Sequence, residues 1–322
     1  MNKILNNFKT IFSILLNKTL LKKPDFSEKN LFIQGQIIFE KYKKKKIIKD
    51  LSEIEFSVFS QFGEDGIINW LIDKFPSIPK TFIEIGTQDY WESNTRFLLK
   101  LKKWKGYLFE ANKNDVNNIK KQRIYWQNDL KVFNEFIDKE NINSILSKFV
   151  KERKIGLLSI DIDGNDYWIL EEINNLSPYI IVCEFNSIFG DKFKLSVPYE
   201  KDFFRNKKHY SNLYFGSSIK ALVSLLKSKG YFFLGTGSRG VNAFFVKDHF
   251  KSFFADKIKE IKIFPSKARE SLNQKGEMTH GNILDEIDNL RDLEVFDFDE
   301  NKIKKLSEYK ELYSEEWKTL LR

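Results

Sequence analysis

Residues 157–168 read Leu-Leu-Ser-Ile-Asp-Ile-Asp-Gly-Asn-Asp-Tyr-Trp, an apolar run that breaks into three carboxylates, a glycine and two aromatics. Carboxylates at the mouth of a buried strand serve three chemistries: a calcium loop, a metal clamp for a sugar nucleotide, or the acidic edge of a site that deprotonates a hydroxyl. Calcium-loop spacing puts Asp161, Asp163 and Asn165 at positions 1, 3 and 5 and Glu172 at 12. Position 6 is then Asp166, where the sharp turn takes glycine, and a strand rather than a helix comes before it. The calcium loop is excluded on both counts. A metal-dependent glycosyltransferase, with the D-x-D of Asp161 and Asp163 as its clamp, stays open as an alternative.

A second group narrows the choice. Glu84-Ile85-Gly86-Thr87-Gln88-Asp89 closes an apolar run with a single glycine. A strand, a glycine turn and then a helix is how an open α/β sheet admits a nucleotide-like ligand. The following helix is predicted to start at Ser93 or Asn94, both good caps. A pyrophosphate fingerprint needs two more glycines, at positions held here by Gln88 and Trp91. Adenosine with a small zwitterionic tail fits this turn better. Glu110 ends the next apolar run, 24 residues past Gly86, where an acid takes ribose hydroxyls. Asp129 is predicted to end a third strand, within reach of an adenine amine.

These residues need a sheet to align them. Short apolar runs at 81–86, 106–112, 124–129, 155–163 and 179–186 alternate with helical patterns, the signature of βαβ units. Two further runs, 231–236 and 241–246, are too close for a crossover helix and are predicted to form an antiparallel hairpin. The fold class is therefore α/β: a doubly wound, Rossmann-like sheet, mostly parallel with one antiparallel strand. Residues 1–55 read as a helical, basic extension, 56–248 as the sheet domain and 249–322 as a second helical extension. Within the sheet domain, 185–216 is a long aromatic insertion, predicted to act as a lid or substrate wall.

Composition sets the outer bounds. The chain has 322 residues, 15% aromatic, and a net charge of +9. Its lysines are dispersed among acids, so no nucleic-acid partner is expected. One cysteine, Cys183, excludes a disulfide framework and fits a cytoplasmic location. The N-terminal 23 residues are basic with apolar positions at helical spacing, too short and too charged to span a bilayer. They are expected to form a helix packing on the body, with peripheral contact with the inner membrane face as the alternative.

In order, the segments SQFGEDGI (60–67), TFIEIGTQDYWESNTRFLL (81–99), GYLFEAN, LLSIDIDGNDYWIL, VCEFNSIFG (182–190), VPYE (197–200), HYSNLYFGSSIKAL (209–222) and GVNAFFV resemble the FkbM-type S-adenosylmethionine-dependent methyltransferases, in a branch that carries IDIDGNDYW. The likeness spans about 56–248. It implies a class I methyltransferase sheet and an O-methyltransferase of a small-molecule or glycan acceptor, most simply a sugar hydroxyl. S-adenosylmethionine is the implied cofactor, held by Ser60, Gln61, Glu84, Gly86, Gln88, Glu110, Asp129 and Asp161. The family's turn is richer in glycine than this one, and Ser60, Gln61 and Asp65 are expected to compensate. On the acceptor side it implies Asp163 and Glu184 as catalytic groups beside Asn186, with Mg²⁺ on Asp161, Asp163 and Glu184 as a candidate cofactor. His209 is the candidate general base, and Arg205, Lys207 and Lys208 a candidate grip for a phosphate or uronate. A methyltransferase-like binding protein without catalysis remains the third alternative.

Overall fold

The computed structural model describes residues 26–267, 271–279 and 281–322. The basic N-terminal segment singled out for membrane contact lies outside them. Among the described residues no helix is long and apolar enough to cross a membrane.

Helix α1 (Phe26–Tyr42) packs against the sheet domain, which continues with α2 (Glu64–Lys74), β1 (Thr81–Ile85), α3 (Arg96–Lys102), β2 (Lys105–Glu110), α4 (Lys113–Lys121), α5 (Arg123–Gln127), β3 (Leu130–Asn134), α6 (Ile142–Phe149) and β4 (Lys154–Ile160). Then come α7 (Asp166–Glu172), β5 (Ser177–Glu184), β6 (Leu195–Ser196), α8 (Arg205–Lys208), α9 (Ile219–Ser228), β7 (Tyr231–Thr236) and β8 (Asn242–Lys247). The main sheet has seven strands in the order β3-β2-β1-β4-β5-β8-β7. Strands β1 to β5 run parallel, and β8 is antiparallel to both β5 and β7. This is the expected doubly wound, Rossmann-like sheet with one reversed strand, closed by the expected hairpin.

Pleating explains the two cores. Along β1, Phe82 faces one side of the sheet while Ile83 and Ile85 face the other. On α6, Ile142, Ile145 and Leu146 are buried at helical spacing, and Ser218 caps α9 by accepting from Ala221 N. Gly106 sits where a side chain would meet the Phe82 ring at 2.4 Å, so β2 needs glycine for its layer to close.

Chain order reverses between β1 and β4, which are neighbours in the sheet although two strands intervene in sequence. Ligands of open α/β sheets bind at the carboxyl ends beside such a switch point. The tips of β1 and β4 carry Gly86 and Asp161.

The third strand differs from the expectation. Residues 124–127 belong to α5, and the strand is Leu130–Asn134. Asp129 thus precedes the strand, is exposed, and accepts from Gly106 N at the amino edge of β2. It lies at the opposite end of the sheet from the switch point and cannot meet an adenine there.

The C-terminal part also differs. It contains α10 (Lys251–Ala255), α11 (Ile283–Glu286), a β9 (Glu294–Asp297) to β10 (Lys302–Lys305) hairpin and α12 (Glu315–Leu321). Strand β6 of the insertion adds to β9, giving a three-stranded sheet. Tyr167 and Trp168 pack on Phe298 and Phe296 beside this hairpin, and Trp168 Nε1 donates to Val197 O. The two aromatics after the acid cluster therefore anchor α7 to the insertion and the C-terminal sheet.

Candidate active site

A cavity of about 720 Å³ opens over the carboxyl ends of β1, β2, β4 and β5. Its first wall is the glycine turn. Gly86 has φ +79°, and a Cβ there would lie 1.8 Å from the Asp161 carbonyl oxygen. The requirement for glycine comes from the closeness of the β1 and β4 tips, before any ligand is considered. Glu110 fixes the rest of the turn. Its Oε2 accepts from Thr87 N at 3.0 Å and Gln88 N at 2.8 Å, and its Oε1 from Asn112 N at 2.8 Å. Gln88 has φ +46°, so this carboxylate helps hold a left-handed residue in place.

Glu84 also lines the cavity but faces inward. It accepts from Ser93 Oγ at 2.7 Å, Asn94 N at 3.0 Å and Thr95 Oγ1 at 2.5 Å. Burial raises its pKa. The Ser93 hydroxyl is consequently committed to Glu84 and the Asn94 side chain to Ser159 Oγ at 3.1 Å rather than to capping a helix, and α3 begins later, after Thr95.

The second wall is the acid loop. Asp166 is buried and accepts from Ile162 N at 2.9 Å and Gly164 N at 3.0 Å, closing the loop on itself. Burial, and then the charge of Glu184, pushes its pKa up to about 7. Asp163 takes φ +56°, a conformation Asp tolerates better than most residues. Its carboxylate meets the Arg205 guanidinium at 2.6 Å. Asp161, Asp163 and Glu184 each bring one oxygen within 4.8 Å of the others. The β4–β5 register, with Ile160 beside Cys183, explains why the strand-tip acids meet. Three hard oxygen donors suit Mg²⁺ or Mn²⁺, so the trio fits such an ion in donor chemistry.

The insertion forms the roof. Phe203, Phe204, Arg205, Asn212 and Phe215 line the cavity, and Phe204 meets Phe136 from the β3 side at a ring separation of 5.9 Å. Gly164 lets the insertion approach: a Cβ there would be 2.4 Å from the Phe203 ring.

The segment before β1 supplies Gln61 and Phe62 to the lining. Ser60, expected at the cofactor, is instead buried beneath, accepting from Asp65 N at 3.0 Å. Asp65 Oδ2 accepts from Val58 N, Phe59 N and Ser60 N at 2.7, 2.7 and 3.0 Å. Burial outweighs these donors and pushes its pKa up to about 7. The folded state thus holds a proton that the unfolded chain releases near pH 4, so this group's contribution to stability falls as pH rises from about 4 to about 7. Asp65→Asn keeps an oxygen for the three N–H donors and does not ionise. Its Tm relative to wild type is expected to rise between pH 5 and pH 8. A constant difference across that range would mean that Asp65 does not titrate there.

Three other expected groups lie away from the cavity. His209 is absent from the lining: its Nδ1 is 2.7 Å from Ser211 Oγ, its ring packs at a tilt against Tyr210, and burial lowers its pKa. Asn186 accepts from Ile188 N and donates to Leu213 O and Phe215 O, bracing the insertion. Lys208 pairs with Glu200, and Lys207 sits 4.4 Å from the Phe204 ring centre, leaving Arg205 alone of the basic run in the cavity. Two lining residues carried no sequence signal of their own: Asn242, which opens β8 beside Glu184, and Phe136, which follows β3.

No family model matches the chain, and no curated protein matches it. Solved structures resemble its fold loosely. The SAH-bound N-terminal domain of EvdMO1 is 10% identical with a TM-score of 0.39, covering 66% of this chain and 95% of that one. The O-methyltransferase from Bacillus cereus in complex with SAH is 11% identical with a TM-score of 0.37, covering 71% and 94%. A SAM-dependent methyltransferase from Aquifex aeolicus is 12% identical with a TM-score of 0.33, covering 65% and 97%. At these values the resemblance is one of fold alone.

Proposed function

We propose that the protein is an S-adenosylmethionine-dependent O-methyltransferase acting on a sugar or glycan hydroxyl. One observation carries this: Glu110 at the tip of β2 pins the Gly86 turn through Thr87 and Gln88, and an acid trio faces that turn across the same cavity. A nucleoside-sized group held on the turn side leaves its reactive end toward Asp161, where β1 and β4 meet. S-adenosylmethionine supplies there a methyl group already activated on a sulfonium. The chain then has to orient the acceptor and take its proton. Asp163 and Glu184 are the groups for that proton, as the hydroxyl oxygen bonds to the methyl carbon and the carbon–sulfur pair returns to sulfur. Asp161, Asp163 and Glu184 would hold the divalent ion, which lowers the pKa of a bound hydroxyl.

The same trio, 4.8 Å across at most, is what favours the second alternative, a metal-dependent glycosyltransferase. A radiolabelled methyl assay over a panel of sugar acceptors, run with and without EDTA, separates them. Label is expected in an acceptor, lost with chelator and restored by Mg²⁺ or Mn²⁺. Label that survives EDTA would leave Asp163 as base without an ion. Glycosyl transfer from a UDP-sugar, with no methyl transfer, would overturn the proposal.

A further inference from the structure

The loop after the Gly86 turn is bent twice where side chains resist it: Gln88 has φ +46° and Tyr90 φ +64°. For an aromatic residue the left-handed region is unfavourable and persists only where the surroundings hold it. Thr87, Gln88, Glu92 and Ser93 of this loop line the cavity, and two side chains hold its backbone between them. Arg96 Nη1 donates to Tyr90 O at 2.8 Å, and Gln122 Nε2 to Asp89 O at 2.6 Å. The two holders are joined, since Arg96 Nη1 also donates to Gln122 Oε1 at 2.8 Å.

Arg96 is itself only 2% exposed, and a buried guanidinium needs a carboxylate beside it. Glu28 of α1 supplies one: its Oε1 meets Arg96 Nη2 at 2.9 Å and also takes Lys100 Nζ at 2.7 Å. A second contact from the same helix runs the same way. Phe32 packs on Phe59 at a ring separation of 6.4 Å, and Phe59 O accepts from Ser93 N at 2.8 Å. Helix α1 thus reaches the glycine-turn wall by two routes, one ionic and one aromatic, although no described residue of α1 lines the cavity itself.

Resting on the methyl-transfer function proposed above, we infer that Glu28, Arg96 and Gln122 are positioning residues for S-adenosylmethionine, and that α1 is a working part of the cofactor site. Glu28 fixes the guanidinium. The guanidinium and Gln122 fix the carbonyls of Tyr90 and Asp89, and the loop keeps the shape that holds the nucleoside. A chain that populates this shape only part of the time binds with an affinity reduced by that fraction.

The test joins calorimetric titration of SAH, well below the Tm of every variant, with amide hydrogen exchange of the ligand-free full chain. In Glu28→Ala, SAH affinity is expected to fall about tenfold, as when the binding-ready loop drops to about a tenth of the molecules, and the amides of residues 87–94 are expected to exchange faster. Glu28→Gln keeps an acceptor oxygen for Arg96 and is expected to stay closer to wild type than to Glu28→Ala in both readouts. Phe254→Leu, in the core beside Phe75, shows what lost stability alone does and is expected to move neither. A folded Glu28→Ala chain with wild-type affinity or wild-type exchange at 87–94, whatever its Tm, makes Glu28 merely structural and overturns the inference. An equal loss in Phe254→Leu does the same. Should Glu28→Ala not fold, Gln122→Ala, which releases Asp89 O, is read by the same outcomes. If the wild-type chain binds no SAH, the methyl-transfer proposal falls, and exchange at 87–94 alone decides whether α1 holds the loop.

Discussion

Gly86→Val is expected to lose S-adenosylhomocysteine binding and stability together. A Cβ at this position meets the Asp161 carbonyl oxygen at 1.8 Å, and the backbone sits at φ +79°. Valine is β-branched, the type least able to adopt positive φ. Strain and overpacking sum to about 2–5 kcal/mol. The β1 and β4 tips must separate to relieve it, which moves the turn away from Glu110 and Asp161 away from Asp163 and Glu184. Urea midpoints and a calorimetric titration on the same preparation check this. A wild-type midpoint would mean that the two strand tips are not packed as described, and wild-type affinity would place the nucleoside pocket elsewhere.

Asp163→Asn is expected to cut turnover by about 10²- to 10⁴-fold, the range for loss of a positioned proton acceptor. SAH affinity should change little, because Glu110 and the Gly86 turn lie on the other side of the cavity. Asparagine tolerates the left-handed conformation that Asp163 occupies at φ +56°, so the loop keeps its shape. Asp166 continues to brace it through Ile162 N and Gly164 N. The pattern to look for is a fall in kcat with unchanged SAH affinity and unchanged Tm. Full turnover in the variant would remove Asp163 from the chemistry and shift attention to Glu184.

Much of this arrangement is legible in the sequence because strand tips are local events. Each acid that ends an apolar run lands at a sheet edge, and parallel neighbours bring their carboxyl ends together. That is why Asp161, Asp163 and Glu184 meet as expected, and why Gly86 and Glu110 face one cavity. The hairpin at 231–246 was equally plain, since four turn residues leave no room for a crossover. The third strand was not. Ile124-Tyr125-Trp126 has strand-like residue types, but it forms α5, and the pairing with β2 falls to Leu130–Asn134, where only Leu130 and Val132 are buried. A two-residue burial pattern at a sheet edge is a weak signal, and with the strand starting at Leu130 Asp129 falls at its amino end. Strands β9 and β10 are four residues each and need β6 of the insertion, about 100 residues earlier in the chain, to form their sheet. Asn242 depends on the register of an antiparallel pair, Glu184 opposite Asn242, which no spacing in the sequence reveals. His209 illustrates the opposite error: a residue type suited to proton transfer whose side chain is spent on a turn with Ser211.

Methyl transfer at this site requires that the Gly86–Glu110 side of the cavity hold an S-adenosyl nucleoside. Calorimetric titration of SAH into the full chain and into Glu110→Ala addresses that directly, with UDP-glucose plus Mn²⁺ as the comparison ligand. Glu110 accepts three backbone N–H groups, and removing it frees the turn and its charge-assisted bonds, worth about 1–3 kcal/mol of binding. The expected result is one SAH per chain, weakened about 5- to 150-fold in a Glu110→Ala chain that stays folded with a lowered Tm, since three backbone N–H groups lose their acceptor, and no heat from UDP-glucose. No SAH binding at any concentration, with UDP-glucose bound in the presence of Mn²⁺, would contradict it.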